Sequence, residues 1–173
     1  TTRLKKLTRP IRLCYGGQVL RVRGTQIRPE RQFGQVGSEL IGSLSPAADA
    51  EVILMAIEAL YALGIENLSI DIALPTLVPA LIHDLKLDNK TLEELRAALD
   101  RKDESKIVNL ASDLGQDATH QLTTILRATG PAASALTSLA KLNLPETAVG
   151  ECTALERVIH DIRSAAPKLN LTV

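Results

Sequence analysis

The sequence predicts an α+β fold in which an antiparallel sheet is flanked by helices and interrupted by an all-helical insertion. Three observations lead to this fold class. Residues 1–74 combine β-forming runs with one helix, residues 76–166 show only helical periodicity, and residues 168–173 again resemble a strand. The 173 residues are 45% hydrophobic, which is enough for one domain with an insertion and excludes a disordered chain.

Two predicted strands come first. Residues 13–22 are rich in β-forming side chains around a glycine pair, and residues 32–43 form the second run. A short connection between two such runs favours a long antiparallel hairpin. The connection is basic and carries Arg23, Arg28 and Arg31.

A helix and a third strand follow the hairpin. Ser45 is a suitable N-cap, and Pro46 suits the first helical position because its missing N–H would be unpaired there. An apolar stripe runs from Val52 to Leu63, and Gly64 is the expected stop. Residues 68–74 then predict a strand, so the first part of the chain is expected to have the order β-β-α-β.

The remaining chain predicts short helices, one longer helix and a final strand. Thr91 and Glu94 form a candidate capping box, and Gly115 and Gly130 are expected to end helices. The predicted helices span residues 76–86, 91–101, 104–114, 118–129, 132–142 and 145–165, and the strand spans 168–173.

These elements suggest three parts: a core of residues 1–84, a helical insertion of residues 85–142, and a helix and strand of residues 143–173 that return to the core. We expect the chain to be a fragment of a longer domain, because it begins without an initiator Met and ends inside a predicted apolar strand.

Charge is distributed unevenly although the net charge is zero. Residues 1–31 hold nine Lys/Arg against one acid, which gives +8, whereas residues 32–173 carry −8. The basic segment could attract phosphate or another anion, and the alternative is a solvated or mutually neutralising surface.

Several function classes lack their sequence signals. Cys14 and Cys152 form no C-x-x-C pair, the three histidines share no ligand spacing, and no phosphate-binding or nucleophile motif occurs. We therefore expect no metal, no cofactor and no catalytic residue in this chain. The absence of a disulfide framework and of an apolar run long enough to span a membrane makes the cytoplasm the expected compartment.

The second strand carries a polar pair on one face. Residues two apart share a face of a strand, so Gln35 and Glu39 project to the same side across Gly37, which we expect to leave room above the sheet. A carboxylate and an amide so placed could hold an ammonium group and a small polar ligand. Arg21 on the first strand could face a carboxylate or phosphate. The alternative is that this face is simply solvated.

Residues 12–42 resemble motif 2 of class II aminoacyl-tRNA synthetases in its histidyl version. The pattern R-Q-F-x-Q-x-G-x-E-x-x-G matches Arg31 through Gly42, and residues 49–53 resemble the family's D-A-E-[VL]-I. The resemblance implies a class II aminoacyl-tRNA synthetase-like antiparallel sheet. It also implies that Gln35 and Glu39 bind histidine and that Arg21 contacts its carboxylate and, in true synthetases, the α-phosphate of ATP.

Two departures from the synthetase pattern direct the interpretation. Arg23 stands where synthetases carry an acid that contacts the adenine end of ATP, and Pro29 stands where a second loop arginine is usual. The chain is more similar to a related family, the regulatory subunits of ATP phosphoribosyltransferase. That resemblance implies a non-catalytic subunit in the first step of histidine biosynthesis.

The regulatory resemblance also implies partners and leaves two alternatives. Its partners would be the short catalytic subunit, a second copy in a dimer within a hetero-octamer, and histidine as feedback inhibitor, without tRNA. Arg23, Arg28 and Arg31 would then be free to contact an anion or the partner. The alternatives are the catalytic core of a histidyl-tRNA synthetase, which activates histidine with ATP, and a nucleic-acid-binding module using residues 1–31.

Overall fold

The computed structural model describes residues 4–173 and has the α+β composition that the sequence predicts. Arg3, one of the basic residues counted above, lies outside the described residues. In chain order the elements are β1 (Ile11–Leu20), β2 (Gln32–Ile41), α1 (Pro46–Ala62), β3 (Ser69–Asp71), α2 (Leu77–Ile82), α3 (Asn89–Asp100), α4 (Glu104–Asn109), α5 (Ala111–Leu114), α6 (Gln116–Arg127), α7 (Ala132–Leu139), α8 (Glu146–Ala165) and β4 (Asn170–Thr172).

The strands β1 and β2 form the predicted antiparallel hairpin. Their register runs without a break from the pair Ile11–Ile41 to the pair Leu20–Gln32. Both strands end two residues before the predicted ends, and β1 also begins two residues early because the ladder extends to Ile11, the one buried residue of the hairpin. The hairpin is therefore anchored at its base and exposed along most of its length.

Helix α1 begins as predicted but does not bury the predicted stripe. Ser45 Oγ accepts a hydrogen bond from the N–H of Ala47 at 3.3 Å, and Gly64 adopts the left-handed conformation that ends the helix. Of the predicted stripe only Ile57 is fully buried, and Leu63 is 76% exposed. The helix is apolar around most of its circumference, so apolar periodicity alone did not identify the buried face.

The two short strands β3 and β4 pair in parallel, with Ile70 opposite Leu171. A parallel pair needs a long crossover connection, and the helices α2 to α8 provide it. β4 is also fixed on its other side, because the backbones of Val173 and Gly130 exchange two hydrogen bonds of 2.9 and 2.8 Å. These contacts return the end of the chain to the core.

The helical region differs from the prediction at several helix boundaries, and α7 ends at Leu139 and not at residue 142. The N-cap of α3 is Asp88, whose Oδ1 accepts from the N–H of Thr91 at 2.7 Å, so Thr91 lies inside the helix and the Thr91–Glu94 capping box is wrong. Aspartate is the better N-cap, and it comes three residues earlier. The predicted helix 104–114 is broken at Leu110, and the helix predicted to reach residue 86 ends as a 3-10 turn at Leu85.

Most of the buried apolar residues between positions 4 and 173 fall into two clusters. One is made by the short helices and includes Leu95, Ile107 and Leu122. The other joins α1, α8 and the β3–β4 pair and includes Ile57 and Ile159. The division at residues 84 and 142 stays a prediction.

Candidate functional site

The hairpin register places the predicted polar pair on one face. Gln35 lies opposite Gly17, and Glu39 lies opposite Leu13. Directly opposite residues of an antiparallel pair share a face, and alternate residues along β2 share it too. Gln35 and Glu39 are four positions apart on β2, which is about 13 Å at the usual rise per residue.

Arg21 lies at the tip end of the same face. Its guanidinium carbon is 4.6 Å from the centroid of the Phe33 ring, which is the distance of a cation–π contact. The N–H of Arg21 donates to the carbonyl of Arg31 at 2.8 Å, so its backbone continues the ladder beyond β1. Arg21 is thus closer along the strand to Gln35 than to Glu39, and the three predicted side chains form a row on one face.

Tyr15 fills the space above Gly37, where the sequence predicted a gap. A Cβ atom at position 37 would lie 2.5 Å from both Cζ and Oη of Tyr15. The same hydroxyl accepts a hydrogen bond from Nε2 of Gln35 at 3.1 Å, which leaves Oε1 of Gln35 to accept from a ligand. The predicted room is therefore occupied by an aromatic ring that orients the amide.

Tyr15 was not among the predicted site residues, although Gly37 indicates space for a large side chain on the neighbouring strand. A glycine on one strand of a hairpin leaves space for a large side chain directly opposite it. Tyr15 is the cross-strand neighbour of Gly37, and it is recognised only once the register is known.

Glu39 borders an open cavity of about 590 Å³ between the hairpin, α1, the end of β3 and α8. Most of its lining is apolar, including Ile53 and Leu155, but Glu39, Asp49 and Glu151 place three carboxylates on it. Oε2 of Glu151 accepts from the hydroxyl of Thr76 at 2.6 Å, whereas Glu39 forms no ion pair within residues 4–173. The cavity therefore favours a positively charged group near Glu39.

A bidentate ion pair between Arg12 and Glu51 joins the hairpin to α1. Nε of Arg12 donates to Oε1 of Glu51, and Nη2 of Arg12 donates to Oε2 of Glu51 at 2.7 Å. The hydrogen bonds from Arg12 lower the pKa of Glu51, and the carboxylate in turn raises the pKa of Arg12. This pair fixes the base of the hairpin beside the cavity that Glu39 borders.

The three loop arginines lie away from this cavity, at the far end of the hairpin. The backbones of Thr25 and Arg28 form a turn, and Nε of Arg31 donates to the carbonyl of Arg21 at 3.3 Å.

Across residues 4–173, no three His, Cys, Asp or Glu side chains lie close enough together to hold a metal ion. None of the helices in that range combines the length and the apolar character needed to cross a bilayer.

The sequence and the structure both match known proteins. The profile of the family described as histidyl-tRNA synthetase matches residues 1–173. Proteins named ATP phosphoribosyltransferase regulatory subunit, from Paramagnetospirillum magneticum and Rhodospirillum centenum, are 49% and 46% identical over 172 residues. Each match covers 99% of this chain and 44% of the relative, so the chain spans less than half the length of these proteins.

A solved structure has the same fold. It is described as an ATP phosphoribosyltransferase regulatory subunit/histidyl-tRNA synthetase from Bacillus halodurans, and it is 26% identical with a TM-score of 0.80. The match covers 99% of this chain and 45% of that one. The chain therefore belongs to the histidyl-tRNA synthetase family and, within it, is similar to the regulatory subunits of ATP phosphoribosyltransferase.

Proposed function

We propose that the protein carrying this chain is a regulatory subunit of ATP phosphoribosyltransferase. Its role would be to activate a short catalytic subunit in the first step of histidine biosynthesis and to make that step sensitive to histidine. The observation that carries this proposal is that four relatives, 40–49% identical over 99% of the chain, share the name of this subunit. The protein would contribute no aminoacylation activity, and it would assemble as a dimer within a hetero-octamer.

Histidine is the proposed effector, with Glu39, Gln35 and Arg21 as its ligands in this chain. Arg21 would supply a guanidinium for the carboxylate of histidine, and Gln35 and Glu39 would supply acceptors for its ammonium and imidazole N–H groups. Tyr15 would hold Gln35 in the orientation that this contact requires.

Arg23 supports a sensor over an enzyme that activates histidine. The guanidinium has only donors, so it cannot accept a hydrogen bond from the amino group of adenine as the acid of synthetases does. Arg23 is exposed and has no acidic partner within residues 4–173 that would cancel its charge. Feedback control then requires histidine to bind two states of the assembly unequally, and a coupling of about 1–3 kcal/mol is typical of such systems.

Calorimetric titration of the complete protein with histidine, with and without ATP, tests the proposal. We expect histidine to bind equally in both conditions, and we expect Glu39→Ala to weaken binding by about 1.5–3 kcal/mol through loss of a charge-assisted contact. Glu58→Ala is the matched control, because Glu58 is an exposed carboxylate on α1 outside the cavity lining. Histidine-dependent release of pyrophosphate from ATP would contradict the proposal and indicate a synthetase.

A further inference from the structure

The end of the hairpin carries an unusual concentration of exposed apolar side chains. We define the hairpin tip as residues 20–31, all of which are exposed. Leu20, Val22 and Ile27 are 78%, 87% and 91% exposed. Single exposed apolar residues are common, but three on one short segment form a patch that water solvates poorly.

The same segment carries unpaired positive charge. It contains four arginines and one acid, Glu30. Arg12 and Arg127 each bind a carboxylate with two nitrogens, whereas no arginine of the hairpin tip forms an ion pair within residues 4–173. Arg21 contacts a ring and Arg31 a carbonyl, so Arg23 and Arg28 have no side-chain partner in that range.

The backbone of the hairpin tip is closed by short-range contacts. Thr25 N–H donates to the Arg28 carbonyl at 2.9 Å, and Arg28 N–H donates to Thr25 Oγ1 at 3.1 Å. The backbone of Pro29 approaches Gly24 so closely that a Cβ there would lie 2.5 Å from the Pro29 carbonyl oxygen. A surface ordered in this way loses little conformational entropy when it docks.

Only some ligands suit both the exposed apolar side chains and the unpaired arginines of the hairpin tip. A phosphate or a nucleic-acid backbone would pair with the guanidinium groups but would leave Leu20, Val22 and Ile27 in water. Protein interfaces instead combine buried apolar contacts with arginine, which is enriched among their energetically dominant residues. We infer that the hairpin tip docks on a protein surface on which carboxylates surround an apolar depression.

The partner follows from the proposed function, on which this inference rests. A regulatory subunit must hold its catalytic subunit, so the hairpin tip is assigned as a contact with that subunit. The guanidinium groups would speed encounter and set orientation, and Ile27, the most exposed apolar residue of the hairpin tip, would be buried in the contact. The row of Arg21, Gln35 and Glu39 lies on the same hairpin, so histidine and the partner would bind to one structural unit.

The test measures the affinity of the complete regulatory protein for its catalytic subunit, together with activation. We expect Arg23→Glu/Arg28→Glu and, separately, Ile27→Ser each to raise the Kd about tenfold or more, as loss of an interface hot spot does. Histidine binding, measured by calorimetry, should stay within about twofold of wild type because these side chains lie outside the histidine row. The matched controls are Arg101→Glu/Lys141→Glu and Val108→Ser, which change exposed residues of the helical region.

Three results would overturn the inference. An unchanged Kd in both hairpin-tip variants would exclude a contact there. Loss of heparin binding by the charge variant, with Ile27→Ser unaffected in every assay, would indicate a polyanion site. If the hairpin-tip variants, sedimented without the catalytic subunit, were monomers under conditions in which the wild-type protein is a dimer, the occupant of the hairpin tip would be a second copy of the protein. A wild-type protein that neither binds nor activates the catalytic subunit would instead contradict the proposed function, and the assigned partner would fall with it.

Discussion

Residues 11–41 and residues 77–165 differ in where they place apolar and charged side chains. In the helical segment, Leu95 and Leu122 are buried, and no large apolar residue is more exposed than Val108 at 51%. In the hairpin only Ile11 is buried, and Ile27 is 91% exposed. The helical segment thus buries most of its large apolar side chains, those of α8 against α1 and the β3–β4 pair. The hairpin, in contrast, is held by its backbone ladder and leaves most of its side chains exposed.

The largest expected effect tests whether stability resides in the helical segment. Leu122 is completely buried, so Leu122→Ala should cost about 2–5 kcal/mol through lost burial and the cavity that remains. Val36, on β2, is 85% exposed, and Val36→Ala should change the free energy of unfolding by less than about 0.5 kcal/mol. Urea denaturation of both variants measures the difference. Comparable losses would mean that the hairpin is packed against something in the folded protein.

A medium effect tests the ordered backbone of the hairpin tip. Gly24→Ala places a methyl group against the Pro29 carbonyl, so the turn must open to relieve the contact. We expect this to lower the local stability of the hairpin tip by about 1–3 kcal/mol. Gly17→Ala is the control, since a Cβ there meets nothing within 4 Å. Hydrogen exchange of the Thr25 and Arg21 amides reports the turn and the adjoining ladder. Equal exchange in the two variants would show that the Gly24–Pro29 contact does not close the turn.

The smallest effect concerns the ion pair at the base of the hairpin. Arg12 lowers the pKa of Glu51 in the folded state, so the pair stabilises the protein above the unfolded pKa of the carboxyl, and that contribution is lost as pH falls through the folded pKa. In Glu51→Gln this part of the acid dependence should disappear. Unfolding free energies between about pH 6 and pH 3 span the titration of glutamate. An unchanged pH dependence would mean that Arg12 and Glu51 do not interact in solution.

Locally encoded features were predictable from the sequence. The Ser45 cap, the Pro46 start and the Gly64 stop depend on neighbours within a few residues, and each was confirmed. The cap of α3 failed at Thr91 although it is local, because Asp88 competes for the same helix start and binds its N–H groups better. The exposed position of Leu63 depends on tertiary packing, which apolar periodicity does not report.

The face of the hairpin that carries the candidate site was predictable from the sequence, but the arrangement of side chains around that site was not. Alternation along a strand is enough to place Gln35 and Glu39 on the same side. The occupant of the space above Gly37 depends on register, which aligns Tyr15 with that glycine across the hairpin. The cavity beside Glu39 depends on α8, more than 100 residues further along the chain, and no local pattern contains that information.

The pairing of β3 with β4 has a consequence for the order of folding. Asp71 and Thr172 are partners in this ladder, and the hydroxyl of Thr172 also donates to the Asp71 carboxylate. These two residues are 101 positions apart, whereas the hairpin closes within residues 11–41. Contacts between distant residues carry a larger loop-closure cost and form slowly. We therefore expect closure of β3 on β4 to be a late step. During synthesis all residues of the hairpin leave the ribosome long before those of β4, so the hairpin ladder can form while β3 still lacks its partner strand.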